Sequence, residues 1–299
     1  MEQQSCRQCG NNAPELIGRL VDSASFAGQV LAGPWSGGHL YRCRQCALVF
    51  RAPIAPESTY ESMYSSATDT VWQNARSRGD HGIIMQLISS HCKDAADVLD
   101  LGCYDGSLLA SLPPRLRRFG VEASVAASEV AKGRGIDIIA GNMRGLDQID
   151  RQFDAVMAVD VIEHMHSPAN LVRQMLKLAK PGGVVLVSTG NADSWAWRMA
   201  GSAYWYSAMP EHVSFVSITW ATQLARQLGV RLSTVGRFPY YDDRGLSLAS
   251  RLKFCVAALK QRARRQWKGP EHLRDHFPRW TLGEPGLFSD HMVFVLQKS

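Results

Sequence analysis

Four of the seven cysteines are set as two pairs, Cys6-x-x-Cys9 and Cys43-x-x-Cys46. Each pair puts two thiolates on one tight turn, and two such turns complete a tetrahedral four-sulfur site for zinc. With all four places taken by protein there is no coordination position for water, so the expected role is structural: the metal supplies folding energy to a segment too small to fold alone. Disulfides are the rival pattern. The start, MEQQSCRQCGNNAPE, lacks the basic-then-apolar order of a signal peptide, and a reducing cytoplasm argues against them. Cys92, Cys103 and Cys255 are scattered as single small apolar residues would be.

Two further groups carry chemistry. Asp97 to Leu101 reads as a short apolar strand, DVLDL, running into Gly102-Cys103-Tyr104-Asp105-Gly106 and a helical SLLASL that Pro113-Pro114 stops. Glycines there let the backbone approach a ligand closely, and the helix start presents free amides to it. The spacing is GxxxG rather than the GxGxxG that cradles a dinucleotide pyrophosphate, so NAD and FAD are runners-up. A second strand, Arg118 to Val121, ends in Glu122, placed to accept hydrogen bonds from both ribose hydroxyls of an adenosine cofactor; an exposed strand-end carboxylate without a ligand is the alternative. The other group is two acid–histidine pairs, Glu211-His212 and Glu163-His164. A histidine can take a proton from a hydroxyl or a carbon acid near neutral pH, and Glu211 can orient or charge-stabilise His212 if the two side chains converge. For Glu163-His164, shaping the pocket floor at a helix start is an equal alternative.

In chain order these segments resemble a known family. VLDLGCYDG resembles the first motif of class I S-adenosylmethionine-dependent methyltransferases, and GVE resembles their second. Gly141-Asn142-Met143 follows a third strand, IDIIA, and resembles the position that reads the adenine; Phe153-Asp154 opens a fourth strand, FDAVMAVD. DVIEHMHSP, residues 160 to 168, resembles the segment after that strand in the branch of ubiquinone-type O-methyltransferases and sugar methyltransferases. LKLAKPGGVVLVSTGN, 176 to 191, resembles the helix, PGG turn and fifth strand. The resemblance covers roughly residues 80 to 240 and the final strand. It implies S-adenosylmethionine as cofactor, held by Asp100, Gly102, Cys103, Gly106, Glu122, Asn142, Met143 and Asp160. EHVSF also resembles the general-base neighbourhood of nucleotide-sugar C-methyltransferases, which carry a similar N-terminal zinc-binding region; this implies catalytic roles for His212 and Glu211, with His164 as the second candidate. The sequence departs at Tyr104, where many relatives have glycine, and at Met209, where a tyrosine would support the closer assignment. This chain also lacks room for the added C-terminal domain of those enzymes.

The elements that must position these residues follow from periodicity. Ile83, Ile84, Leu87 and Ile88 form one apolar helix face after a polar connector, Leu171, Met175 and Leu178 recur at helical spacing after Ser167-Pro168, and Ser217 and Gly229 bracket a helix containing Trp220, Leu224 and Leu228. Strands six and seven are expected at Val230 to Phe238 and His291 to Gln297. The expected architecture is α/β: a Rossmann-like seven-stranded class I methyltransferase sheet over 96–299, a small zinc ribbon over 1–60, a connector and helix over 61–95, and a helical cap inserted at 239–285 before the last strand. Ligands then lie at the carboxyl ends of the strands, under the loop 190–216. That loop holds Trp195, Trp197, Tyr204, Trp205, Tyr206 and Phe215, either a lid packing on itself or a stacking wall for a flat or saccharide-like acceptor.

Composition limits the function classes. Hydrophobic residues make up 45% and charged residues 20%, which suits a chain with a sizeable core and excludes wholesale disorder. The net charge of +6 is local, because Arg251 to Lys268 alone holds seven basic residues and no acidic one. On a helical wheel Leu248, Leu252, Cys255 and Leu259 oppose Lys253, Lys260 and Arg264, a face for solvent, a membrane surface, a nucleotide diphosphate or another polyanion. The leading expectation is a cytoplasmic methyltransferase acting on a small hydroxylated acceptor, a sugar or sugar-linked intermediate. The alternatives are an RNA methyltransferase, a membrane-associated isoprenoid or lipid methyltransferase, and a cofactor-binding protein without catalysis. Against a nucleic-acid partner, the chain has neither [ND]PP[YF] nor a Pro-Cys nucleophile motif. Sequence leaves the oligomeric state open.

Overall fold

The computed structural model describes residues 4–65, 80–93, 95–239, 256, 260 and 289–298. The chain opens with β1 (Glu15–Arg19), β2 (Ser23–Phe26), β3 (Gln29–Trp35), β4 (His39–Arg42) and β5 (Val49–Ala52), followed by α1 (Glu57–Ser65) and α2 (His81–His91). Strands and helices then alternate: β6 (Asp97–Leu101), α3 (Ser107–Ser111), β7 (Arg117–Val121), α4 (Val125–Gly133), β8 (Asp137–Ala140), β9 (Phe153–Val159), α5 (Pro168–Leu178) and β10 (Ala179–Gly190). The last elements are α6 (Trp195–Ala200), α7 (Trp205–Ala208), β11 (Ser214–Phe215), α8 (Ile218–Leu228), β12 (Arg231–Phe238) and β13 (His291–Gln297).

Seven strands form one sheet in the order β12-β13-β10-β9-β6-β7-β8, with β13 antiparallel to both of its neighbours and every other pair parallel. Side chains alternate between the two faces with the strand period of two. Leu99, Val156, Ala158, Val185, Val187 and Phe294 face α5 and α8, while Val98, Ala155, Met157, Leu186 and Val293 face α2, α3 and α4. A sheet covered on both faces buries its strands completely, and all five residues of β6, Asp97 and Asp100 included, are buried. The connections reverse direction between β6 and β9, and such a switch point opens a crevice at the carboxyl ends of those two strands.

The helices end as their sequences dictate. Ser217 caps α8 by accepting from the amide of Trp220, and Gly229 closes it in the left-handed region at φ +65°. Pro168 opens α5 after Ser167, whose side chain makes no capping bond. The connector differs from its sequence pattern. Residues 57–65, polar by composition, form α1, because Tyr60 and Tyr64 pack on Phe26 and Tyr60 also meets Trp35 in the hairpin β2–β3. Tertiary contact supplies what local propensity lacks.

A second sheet, β1-β4-β5-β11, is antiparallel, and its last strand comes from the loop after β10. The cysteine-bearing segment therefore shares a core with the large sheet: Cys6, Cys43, Cys46, Leu48 and Phe50 pack in one cluster with Val216, Trp220 and Leu224. The expected cap over 239–285 and the basic segment 251–268 lie outside the described residues, apart from Pro239, Val256 and Lys260. No helix among the described residues is long and apolar enough to cross a membrane. Trp220 is fully buried and its Nε1 donates to Gln8 Oε1 at 3.0 Å, so it ties α8 to the cysteine-bearing segment. Trp220→Ala is expected to cost about 3–5 kcal/mol in urea denaturation; a loss below about 1 kcal/mol would show that the contact is not part of the core.

Candidate functional site

The glycine loop sits at the mouth of the β6–β9 crevice. Gly102 and Gly106 have φ of +74° and +73°, and a Cβ on Gly102 would fall 2.7 Å from Val161 Cγ2, so the loop closes on the segment after β9 only with glycine there. Tyr104 also takes a left-handed φ, +48°, which explains why glycine is the easier residue at this place. Its amide donates to Glu122 Oε2 at 2.8 Å, while Glu122 Oε1 accepts from the amide of Ser124, also at 2.8 Å. The Glu122 carboxylate thus clamps the loop to the start of α4 and is itself fixed at the strand end. Cys103 is buried against Gly120 of β7, and burial, with Asp100 adding, pushes its thiol up, so that only its main chain is offered to a ligand. Asn142 caps the 3-10 turn Met143–Gln148, accepting from the amides of Arg144 and Gly145, and the Met143 methyl reaches toward Gly102. Asp100 is buried at the end of β6. Asp160, at φ +52°, turns the chain out of β9 while its amide donates to Ser188 O at 2.9 Å.

The two histidines meet at the same end of the sheet. His164 closes the 3-10 turn after β9 and His212 lies between α7 and β11; their rings are in edge contact with centroids 4.8 Å apart. His212 Nδ1 is 2.9 Å from Tyr206 O, which assigns the proton to Nδ1 and leaves Nε2 as the basic nitrogen. The Tyr206 ring lies 4.2 Å from that of His212 by centroid, tilted by 54°, and its hydroxyl donates to Glu163 Oε1 at 2.5 Å. Thr189 Oγ1 donates to Glu163 Oε2 at 2.8 Å. His164 Nδ1 meets Tyr64 Oη at 2.5 Å and Glu211 O at 3.2 Å. His212 is therefore oriented by a main-chain carbonyl and not by the Glu211 carboxylate, whose Oε2 is buried without a hydrogen-bond partner among the described residues.

Burial sets the charge states. It pushes His212 well below the ordinary imidazole value, with His164 adding to the effect, and it lowers His164 against the opposing charge of Glu211. Burial also raises Glu163, countered by the Tyr206 hydroxyl, and holds the phenols of Tyr64 and Tyr206 well above theirs. At neutral pH both imidazoles are neutral and both phenols keep their protons. Beside them His291 is raised against its own burial by Asp290, 3.2 Å away. Donor atoms of Glu163, His164 and His212 lie within 4.8 Å of one another, but both Glu163 oxygens and His164 Nδ1 already engage hydroxyls, so the group is a hydrogen-bonded network.

The four paired cysteines converge. Their sulfurs lie within 4.8 Å of one another, with Cys6–Cys46 at 3.6 Å and Cys9–Cys43 at 3.5 Å. Four sulfurs at about 2.3 Å from a central ion would be separated by about 3.8 Å, so the donor set suits zinc. A thiol donated by Cys46, against the penalty of burial, pulls the Cys6 thiol down to about 5.

The sequence model of a methyltransferase domain family matches residues 76–235, more than half of the chain. The chain belongs to this methyltransferase family. A Mycolicibacterium smegmatis protein named as an S-adenosylmethionine-dependent methyltransferase is 32% identical over 114 residues, 37% of this chain and 44% of its own length. A ubiquinone biosynthesis O-methyltransferase from Chromobacterium violaceum is 29% identical over 171 residues, 52% of this chain and 74% of its own. The chain thus spans under half the length of the first of these relatives. Among solved structures, a chain from the Haloferax volcanii complex of the Trm112 methyltransferase activator with a methyltransferase has a TM-score of 0.53 at 14% identity, covering 82% of this chain and 99% of that one. The methyltransferase fold is shared across that distance.

Residues that sequence reasoning did not place in this methyltransferase site are Tyr64, Thr189 and Tyr206, the last read only as part of an aromatic loop. Trp197, Tyr204, Tyr206 and Phe215 are buried together, so that loop packs on itself and on Leu20, Leu40 and Val49. Tyr64 gives no local signal, since α1 is placed by tertiary contact. Glu122→Ala is expected to weaken S-adenosylmethionine binding by about 1.5–3 kcal/mol, the value of hydrogen bonds to a charged group; unchanged affinity by calorimetry would overturn the assignment. The lowered histidines also set a pH dependence. Their stabilising contribution is complete above the unfolded imidazole value near 6.5 and is lost as pH falls through the folded values. Thermal unfolding of the wild type should therefore drop more between pH 7 and pH 5 than that of a His164→Gln/His212→Gln variant, and parallel curves would count against buried neutral imidazoles.

Proposed function

We propose that this protein transfers the methyl group of S-adenosylmethionine to a small hydroxylated acceptor, a sugar or sugar-linked intermediate, at oxygen or at an acidic carbon. The observation that carries the reading is the fixed tautomer of His212: a neutral imidazole whose Nδ1 is held by Tyr206 O, at the carboxyl end of the strands that form the cofactor crevice. When bound, the cofactor supplies an already activated electrophilic methyl. The protein's tasks are then alignment of the acceptor and removal of its proton. Gly102, Gly106, Glu122, Met143 and Asp160 line the cofactor side, with Asp100, Cys103 and Asn142 supporting the same loops. His212 Nε2 takes the acceptor proton. His164 packs edge-on against it with Nδ1 committed to Tyr64, and so serves to hold the pair. Glu211 contributes negative charge beside them.

In the same reading Cys6, Cys9, Cys43 and Cys46 hold one structural zinc, and the protein works in the cytoplasm, where a reduced cysteine set persists. Three experiments test these statements. His212→Ala is expected to lower kcat by about a hundredfold or more with cofactor affinity unchanged, since general-base catalysis contributes about 10² to 10⁴; a variant that keeps its rate removes the base from His212. Label from methyl-labelled cofactor in cell extracts should enter a nucleotide-sugar or glycan fraction, whereas label in RNA or lipid would overturn the acceptor class. For the metal, the purified protein is expected to contain about one zinc, lost in Cys6→Ser/Cys43→Ser. Metal analysis without zinc in freshly reduced protein would refute the ribbon.

A further inference from the structure

The loop that carries His212 has little structure of its own. Between α7 and the two residues of β11 it makes one internal main-chain bond, His212 N to Met209 O, and otherwise leans on its surroundings. The chief support is Arg51 of β5, only 1% exposed. Its guanidinium donates to four carbonyls: Nη1 to Gly37 at 2.8 Å, Nη2 to Ser207 at 2.9 Å and Met209 at 2.8 Å, and Nε to His212 at 3.1 Å. Three of the four belong to the stretch that leads up to and includes His212, and Tyr206, whose carbonyl fixes the His212 tautomer, directly precedes them. No carboxylate among the described residues lies within ion-pair distance of Arg51; burial lowers it to about 10, so it remains a cation held by carbonyl dipoles.

A second arginine extends the support to the cysteine turn. Arg7, between Cys6 and Cys9, lies over the Phe50 ring and donates through Nη1 to Arg51 O at 3.0 Å and through Nη2 to Val213 O and to Ser214 Oγ at 2.7 Å. The amide of Val213 donates to Glu163 O at 2.9 Å, and Ser214 Oγ to Met165 O at 2.6 Å, so the strap reaches the turn that carries His164.

We propose that Arg51 is a positioning residue for His212, and that Arg7 couples the four-cysteine turn to the same loop, so that the N-terminal sheet acts as the template on which the base is held. The catalytic meaning rests on the general-base reading of His212; the positioning itself does not. A buried cation surrounded by carbonyls is costly to keep for packing alone, because an apolar side chain of similar size would fill the space without desolvating a charge. It is well suited to fixing three carbonyls of an irregular loop at once.

The test is a histidine-ring NMR titration combined with calorimetry of S-adenosylhomocysteine binding, on the wild type, Arg51→Met, Arg51→Lys and Arg7→Ala. The groups facing His212 are His164 and Glu163 after β9, Tyr64 on α1, Tyr206 and Glu211 around the loop, Arg51 on β5, and Asp290 with His291 at β13. His212→Gln assigns the signal. In the wild type His212 stays neutral well below the ordinary imidazole range. In Arg51→Met and Arg7→Ala its proton affinity is expected to rise about tenfold or more, in Arg51→Met partly because a nearby cation is gone and in Arg7→Ala through opening of the loop to water, with S-adenosylhomocysteine affinity within about twofold of wild type, since neither arginine touches the glycine loop. Arg51→Lys, which keeps the charge without the fork, should lie between. An unchanged His212 titration in folded Arg51→Met overturns the proposal. If that variant does not fold, Arg51→Lys decides: a wild-type titration there is the refuting result. Neither measurement uses an acceptor, so a fully active His212→Ala would remove the general-base reading and leave the positioning result standing.

Discussion

Two residues of one loop, Ser214 and Phe215, pair with Phe50 and Val49 of β5, and that short ladder makes the N-terminal sheet and the large sheet interdependent. Without it β11 has no partner and the segment between α7 and α8 has no fixed path. With it, the main chain of His212 and Val213 is brought against Arg51, and Val213 reaches across to Glu163. The pairing also draws Leu48, Phe50 and the cysteine sulfurs into the core that α8 covers. A segment of this size buries too little apolar surface to be stable alone. Sharing a core with the large sheet offsets the deficit.

The cofactor side obeys a different constraint, the left-handed backbone of the glycine loop. Gly102, Tyr104 and Gly106 all have positive φ, and only Tyr104 has a side chain to oppose it. The cost for a residue with a Cβ is about 1–2 kcal/mol. The amide of Tyr104 donates to the carboxylate of Glu122, a charge-assisted bond of about the same worth, so strand-end acid and loop conformation hold each other. Glu122 has two duties at once, ordering the loop and presenting a carboxylate at the strand tip.

Periodicity made the large sheet legible because its physics is local. β6 as DVLDL, β13 as HMVFVLQ and α8 between Ser217 and Gly229 fall where alternation, apolar runs and caps put them. The glycine loop was legible for the same reason, since its glycines and the strand-end acid follow closely on apolar strands. The proton network was legible only as separate histidines. Tyr64 and His164 are 100 positions apart and Arg51 and His212 are 161 apart, and no pattern along the chain joins them. Met209 stands where a tyrosine was looked for, while Tyr206, three positions earlier, places its ring on His212 and its hydroxyl on Glu163. The loop geometry set by Arg51 decides which aromatic side chain reaches the imidazole, and spacing alone carries no information about that.

Charge balance gives the network its arrangement. In the proposed reaction the His212 imidazole finishes with the positive charge that the methyl donor brought in, so the site holds one cation throughout and only its location changes. A base that is neutral and desolvated at the start is reactive because it has no water shell to shed, and for the same reason its imidazolium needs stabilisation from the protein. The Tyr206 ring lies 4.2 Å away by centroid, within the range of cation–π attraction. Glu163 polarises that ring through the phenol, and Glu211 adds negative charge nearby. Arg51 opposes the imidazolium and helps to keep the resting base unprotonated. A side chain that orients the loop thus also biases the proton toward the acceptor until the methyl transfer has removed the competing charge.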